Sequence, residues 1–264
     1  MSLSVDAVNI ARVTLQRSQL HNAFNEDVIR EVTTAFTLLG RSESVRAVVL
    51  AGGDGASFSA GADLAWMQRV AGYSAAENKA DSQRLFAMFR SIKACPVPVI
   101  ARVNGHALGG GAGLVACCDM AFAVDSATFG FTEVKLGLIP AVISPFVLEK
   151  IGVSHASRLF LTGERIAAPA AVRIGLVSES HASLADVDAA LHRTLDELLS
   201  ASPAGVRAAK ALLHQISAGA WQTQQDFVCG EIARIRVSPE GQEGLAAFLG
   251  KRKPNWFAKQ AASK

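Results

Sequence analysis

Residues 98–119 read PVIARVNGHALGGGAGLVACCD, and the rest of the chain is organised around them. The stretch opens on Val99-Ile100-Ala101-Arg102-Val103, a short apolar run rich in β-branched residues that predicts a buried strand. Asn104-Gly105-His106 then reads as a turn. Gly109, Gly110 and Gly111 follow in a row, with Ala112, Gly113, Leu114, Val115 and Ala116 behind them. Consecutive glycines let a backbone approach a ligand closely. A helix starting here turns unpaired N–H groups and its positive dipole end toward whatever lies over the glycines. Such an end stabilises developing negative charge. The same run also fits a Gly-rich turn that does no more than pack a helix against a strand.

Two phosphate-site patterns compete. A P-loop requires Lys followed by Ser or Thr after its last glycine, and Gly111-Ala112 follows Gly110 instead. Gly111 to Ala116 does match the G-x-G-x-x-A dinucleotide pattern. The next strand-like run, Asp119–Val124, begins too soon to leave room for the crossover helix of that unit. Composition narrows the field further. The 264 residues are 50% hydrophobic and 19% charged, enough for one well-buried domain, with surface to hide in an oligomer. A net charge of +3, thinly spread, gives no nucleic-acid footprint. The four cysteines, Cys95, Cys117, Cys118 and Cys229, lack C-x-x-C spacing and read as small hydrophobes of a reducing compartment. No signal peptide or membrane-length apolar run is visible, so the expectation is a cytoplasmic protein without membrane contact.

Outward from the centre, helical and strand patterns alternate. Val8–Leu15 and Val45–Leu50 read as strands, and Asn25–Leu39 as a helix with Asn25 as N-cap and Gly40 as its stop. Tyr73–Lys79 reads as a polar loop before an amphipathic helix over Asp81–Lys93. Short strands are expected at Asp119–Val124, Ala127–Phe131 and Leu176–Glu179, and a loop or turn at Glu133–Ile139. Separate helices are expected at Ser144–Ile151, His155–Leu161 and Pro169–Ile174. The remainder is helical: Asp186–Leu199, Pro203–Ile216, Trp221–Arg236 and Pro239–Leu249, with Pro203 and Pro239 in first-turn positions.

With these patterns in place, the chain resembles the crotonase superfamily, the enoyl-CoA hydratases and isomerases, and most closely its bacterial methylglutaconyl-CoA and γ-carboxygeranoyl-CoA hydratases. The resemblance rests on Ala60-Gly61-Ala62-Asp63-Leu64, on Asn104 to Gly111, on Cys118-Asp119, on Glu133 to Pro140, and on Leu161-Thr162-Gly163. It implies an α/β fold, a spiral of ββα repeats over residues 1–200 holding an acyl-CoA site. A C-terminal helical region, 201–264, would mediate a homotrimer or a hexamer built as a dimer of trimers. It further implies that the N–H groups of Ala60 and Gly110 converge on the thioester oxygen as an oxyanion hole, and that Gly61, Ala62 and Asp63 line the CoA side. Asp63 equally suits an N-cap for a helix over Leu64–Val70. Coenzyme A would enter only as part of the substrate, with no separate cofactor. No metal is implied, and the histidines lack ligand spacing.

One departure bears on mechanism. Hydratases of this superfamily commonly hold water between two glutamates; one corresponds to Glu133, and the other falls on Gly113. A single carboxylate suffices to move a proton between carbons, whereas adding water is easier with two. A glycine at 113 would open space beside the acyl chain for a branched or carboxylated substrate such as 3-methylglutaconyl-CoA. The expected activity is therefore hydration of a 2-enoyl-CoA. The alternatives are a Δ3,Δ2-enoyl-CoA isomerase, a non-catalytic acyl-CoA-binding homologue and, further off, a decarboxylase acting on a glutaconyl thioester. The basic run Lys251-Arg252-Lys253 is a candidate for the CoA phosphates or a solvated end.

Overall fold

The computed structural model describes residues 1–216 and 225–256. Its architecture follows from one repeated unit, two strands and a helix. Strands β1 (Ser2–Val5) and β2 (Ile10–Thr14) form an antiparallel entry, and helix α1 (Glu26–Arg41) follows. The first full unit is β3 (Ala47–Ala51), β4 (Ser57–Ser59), then α2 (Leu64–Val70) and α3 (Ala75–Lys93). The second is β5 (Val99–Val103), β6 (His106–Leu108) and α4 (Gly110–Cys117); the third is β7 (Met120–Val124), β8 (Thr128–Gly130) and α5 (Ser144–Thr162). A shorter passage adds β9 (Arg165–Ala167), α6 (Ala168–Arg173), β10 (Glu179–His181) and α7 (Leu184–Ser200). Helices α8 (Pro203–Ile216), α9 (Gln225–Arg236) and α10 (Pro239–Leu249) complete the described chain.

Each unit sends its first strand to one sheet and its second to another. The larger sheet has the order β1-β2-β3-β5-β7-β10 and the smaller β4-β6-β8-β9. Val48 pairs with Val99 and Ile100 with Met120 in the first; Ser57 pairs with His106 and Ala107 with Phe129 in the second. Successive units thus stack in parallel, the spiral that the resemblance implies. The loops leaving β4, β6 and β8 emerge side by side from adjacent strands, and they carry Ala60–Ala62, Gly109–Gly110 and Thr132–Glu133.

The core explains why the units hold together. Val48, Val49 and Leu50 of β3, Val99 and Ile100 of β5, and Ala121 and Ala123 of β7 are fully buried, as strands covered on both faces must be. The helices cover them with Val32 and Phe36 from α1 and Met88, Phe89 and Ile92 from α3. Buried Cys117 and Cys118 belong to the same core; burial lifts both thiols, Cys118 to about 12, which leaves them unreactive.

Several sequence expectations need correction. Residues 73–79 are largely helix, because Ser74 and Glu77 close a capping box that starts α3 at Ala75. Gly40 does not stop α1, which runs to Arg41, although Asn25 does cap it by accepting from the Val28 N–H at 3.2 Å. The two helices expected within 144–161 are present: α5 is broken at Gly152, whose φ of 72° and ψ of 164° are not helical. Strand β10 begins at Glu179, where the expected strand ends. The beginning of the helix expected from Trp221 lies outside the described residues; from Gln225 the helix is present.

Candidate active site

The loops from β4, β6 and β8, with α2, α3 and the segment before α5, enclose a cleft of about 360 Å³. Ala60, Ala62, Gly109, Gly110 and Glu133 all line it. Helix α4 starts at Gly110 with no side-chain cap, and the first amide paired within the helix is Gly113, which donates to the Gly109 carbonyl at 3.1 Å. The N–H groups ahead of it are therefore open, and Gly110 presents one of them to the cleft. This approach requires glycine: a Cβ at 110 would stand 2.3 Å from the Phe24 ring. Gly109, with φ of 52°, turns the chain from strand into helix while its own N–H donates to Gly130 at 2.7 Å.

The donor expected at Ala60 is already in use. Its N–H donates to the His21 carbonyl at 2.9 Å, so Ala60 lines the cleft without offering a hydrogen bond to a ligand. Two residues on, the geometry reverses. Phe24 donates to the Gly61 carbonyl at 2.8 Å and accepts from the Asp63 N–H at 3.0 Å, a parallel bridge centred on Ala62. That pattern turns the Ala62 N–H away from Phe24, to the side where Gly61 runs against Leu108 and Gly110; a Cβ at 61 would lie 3.1 Å from the Gly110 nitrogen. Ala62 and Gly110 are thus the open N–H pair; Gly110 is the donor expected, and Ala62 lies two residues on from the Ala60 expected.

Asp63 serves the fold. One carboxylate oxygen accepts from Ala65 at 2.8 Å and Trp66 at 3.3 Å, capping α2, while the other pairs with Arg17 at 2.8 Å. Burial alone would raise its pKa, but Arg17 and the two amides outweigh it and hold the carboxyl below its usual range. Asp63 and Gly61 are not among the side chains facing the cleft.

Gly113 also differs from expectation. It is buried inside α4 and does not line the cleft. A Cβ there would meet Ile143 Cγ2 at 2.5 Å and Phe89 Cε1 at 3.2 Å. The room that a glycine would open beside the acyl chain is therefore occupied by Ile143, an apolar side chain of the cleft wall.

Glu133 opens a short 3₁₀ turn, Glu133–Leu136, closed by Gly137 in the left-handed region. Its Oε1 lies 3.2 Å from the point a Gly109 Cβ would occupy, next to the start of α4. Its Oε2 is buried without a hydrogen-bond partner. Burial pushes its pKa above the usual glutamate value. A carboxyl group with a raised pKa beside open N–H donors is equipped to exchange a proton with a bound ligand. On the opposite wall, Asp81 is held by Arg84 at 2.8 Å. Among the described residues, no three His, Cys, Asp or Glu side chains gather as a metal-ligand set, and no helix is long and apolar enough to cross a membrane. In the tail, both guanidinium ends of Arg252 are taken by Glu243, at 2.7 and 2.8 Å.

The sequence model of the enoyl-CoA hydratase/isomerase family matches residues 6–259. The chain belongs to that family. A crotonyl-CoA hydratase from Syntrophomonas wolfei is 33% identical over 251 residues, covering 95% of each chain. An enoyl-CoA hydratase structure from Shewanella pealeana superposes with a TM-score of 0.91 at 41% identity, covering 97% of this chain and 95% of that one. Pseudomonas aeruginosa AtuE gives a TM-score of 0.92 at 34% identity, with 97% and 98% covered. The crotonase fold expected from the motifs is the fold of this enoyl-CoA hydratase/isomerase family member.

Proposed function

We propose that the chain hydrates 2-enoyl-CoA thioesters, with the Ala62 and Gly110 N–H groups on the thioester oxygen and Glu133 as acid–base. The observation that carries this reading is the buried, unpartnered Oε2 of Glu133 beside the open start of α4. Water attacks C3 while Glu133 takes its proton. The electron pair of the C2=C3 bond shifts toward the thioester oxygen, where the two N–H groups hold the enolate, and Glu133 returns the proton to C2. The family and the hydratase names of its relatives support the reaction class. Losing one such donor costs about 3 kcal/mol in comparable sites.

The apolar Ile143 beside Gly113 favours one alternative, Δ3,Δ2-isomerisation by Glu133 alone. Offering 2-enoyl- and 3-enoyl-CoA separately in isotopically labelled water separates the two, since only hydration fixes oxygen from water. Glu133→Gln should lower turnover by about a hundredfold or more while acyl-CoA still binds; near-normal hydration in the variant would remove Glu133 from the mechanism. As to substrate, the charged side chains of the cleft wall, Asp81 and Glu133, are both acidic. Asp81 is paired with Arg84 at 2.8 Å, so the wall charge does not choose between a neutral and a carboxylated acyl chain, and 3-methylglutaconyl-CoA belongs in the panel as the branched, carboxylated substrate. Assembly through the C-terminal helices is part of the same reading, supported by exposed Leu213, Val237, Phe248 and Leu249; light scattering at the elution peak of a sizing column measures it.

A further inference from the structure

A second groove, of about 530 Å³, runs beside α3. It shares Ser82, Ala141 and Val142 with the catalytic cleft, and the two cavities meet at that rim. Lys79, Gln83, Phe86 and Arg90 form its α3 wall, spaced by three or four residues and so on one helix face. The cleft takes the next face, with Asn78, Asp81 and Leu85. Phe86 is exposed, and its ring packs on Phe146 of α5 with centroids 5.3 Å apart. From Phe146 the aromatic packing continues to Phe89 at 6.1 Å and to Phe24 at 6.3 Å, the ring against which Gly110 lies. The charges of the groove are one-sided. Lys79 and Arg90 stand exposed at the two ends of the wall, and neither side chain has an ion-pair or hydrogen-bond partner among the described residues. Their neighbours are taken: Arg84 by Asp81, Lys93 by Glu149 at 3.0 Å, and Glu77 by Ser74 at the start of the helix. Among the described residues, no Asp or Glu side chain lines the groove.

We infer that this groove receives the far end of the acyl chain, and that Lys79 and Arg90 are specificity-determining residues for a carboxylate at that end. The preferred substrate class is then a straight-chain enoyl-CoA of medium length that terminates in a free carboxylate. The inference rests on the hydratase reading above. The chain leaves C3 along Leu85 and Ile143, crosses the rim at Ser82 and Val142, and lays its methylenes on Phe86 and Ala87. Removing those methylenes from water supplies affinity whatever the chain ends in. The end itself supplies the selection. A terminal methyl gains nothing from Lys79 or Arg90, whereas a carboxylate accepts charge-assisted hydrogen bonds from them, in a fork with Arg90, and meets no acid. A carboxylate close to C3 stays inside the cleft, short of both cations. What the groove reads is therefore the position of the charge along the chain.

The test compares dec-2-enoyl-CoA with the same chain ending in a carboxylate. At low salt the wild-type protein should prefer the carboxylated chain by about fivefold or more in kcat/KM, carried mainly by a lower KM, since exposed charge pairs are individually weak. Replacing both cations, Lys79→Gln with Arg90→Gln, should bring the ratio toward one, and Arg90→Glu should push it below that of the wild type. Independently of any variant, raising the salt to about 1 M should shrink the wild-type ratio, because the pairs are exposed. No preference in the wild type at low salt, a ratio that survives the double replacement, or a ratio indifferent to salt overturns the inference. Crotonyl-CoA is offered to the wild-type protein alongside. Absence of hydration with all three thioesters would refute the hydratase reading. Hydration of crotonyl-CoA with no preference between the longer chains, or with neither accepted, would refute only the role of the groove.

Discussion

Gly113→Ala probes the packing of α4 against Ile143 of the cleft wall, and its magnitude follows from the neighbours. The added Cβ would stand 2.5 Å from Ile143 Cγ2, closer than side-chain carbons approach, and 3.2 Å from Phe89 Cε1. Overpacking of this kind costs about 1–3 kcal/mol. Alanine in place of glycine inside a helix returns about 1 kcal/mol. The single variant should therefore lose up to about 2 kcal/mol, the difference of those two effects. In an Ile143→Ala background the 2.5 Å contact is gone, leaving contacts of 3.1 and 3.2 Å that small shifts absorb. There the same substitution should cost nothing or stabilise, a coupling of about 1–3 kcal/mol between the two positions. Thermal and denaturant unfolding at one protomer concentration measure the cycle, since assembly would otherwise shift the midpoints. Equal effects of Gly113→Ala in both backgrounds would show that Ile143 does not fill the space beside 113. The same background is where Gly113→Glu deserves trial: only with Ile143 shortened is there room for a second carboxylate near Glu133.

Other outcomes are as definite. Because burial raises the pKa of Glu133, its folded-state value lies above its unfolded one, so the stability it contributes at low pH is lost as pH rises through that folded value. Glu133→Gln should accordingly unfold at a higher temperature than wild type near neutral pH, with the gap closing on acidification, even as turnover collapses. For the same reason the acid limb of kcat/KM should lie above the usual glutamate range and disappear in the variant. Asp63→Ala removes the α2 cap and strands Arg17, so stability should fall by about 1 kcal/mol or more; because α2 carries Trp66 and Met67 of the cleft wall, KM for the acyl-CoA should rise as well.

Much of the fold could be read from local pattern, and the site less so. Asn25 as a cap, the buried run at Val99 and the helix start at Gly110 are local signals, and the structure follows them. The capping box at Ser74 and Glu77 was equally local, yet the polar residues around it masked the helix it begins. The donor at Ala62 was not readable in the same way. Ala60 and Ala62 lie in one small-residue run, and which N–H stays open depends on His21 and Phe24 crossing it from far earlier in the chain. Gly113 is the same lesson from the other direction, since what fills its space is Ile143, thirty positions on. Glu133 was legible only through family resemblance, because its sequence neighbours carry no mark of the burial that raises its pKa. Trp66 sits in an ordinary-looking amphipathic turn, and only the packed cleft reveals that its nitrogen has no partner.

The stacking of successive units also governs how the protein acquires activity. On the proposed assignment no single unit contains a working centre: one donor comes from the first, the other from the second, and the acid–base from the third. A nascent chain that has wound two coils has the cradle but no proton carrier. Turnover is therefore a reporter of completed winding, and a refolding experiment followed by activity should lag one followed by helix content. The same division lets mutation exchange the proton carrier in its own coil while the cradle supplied by the other two remains in place.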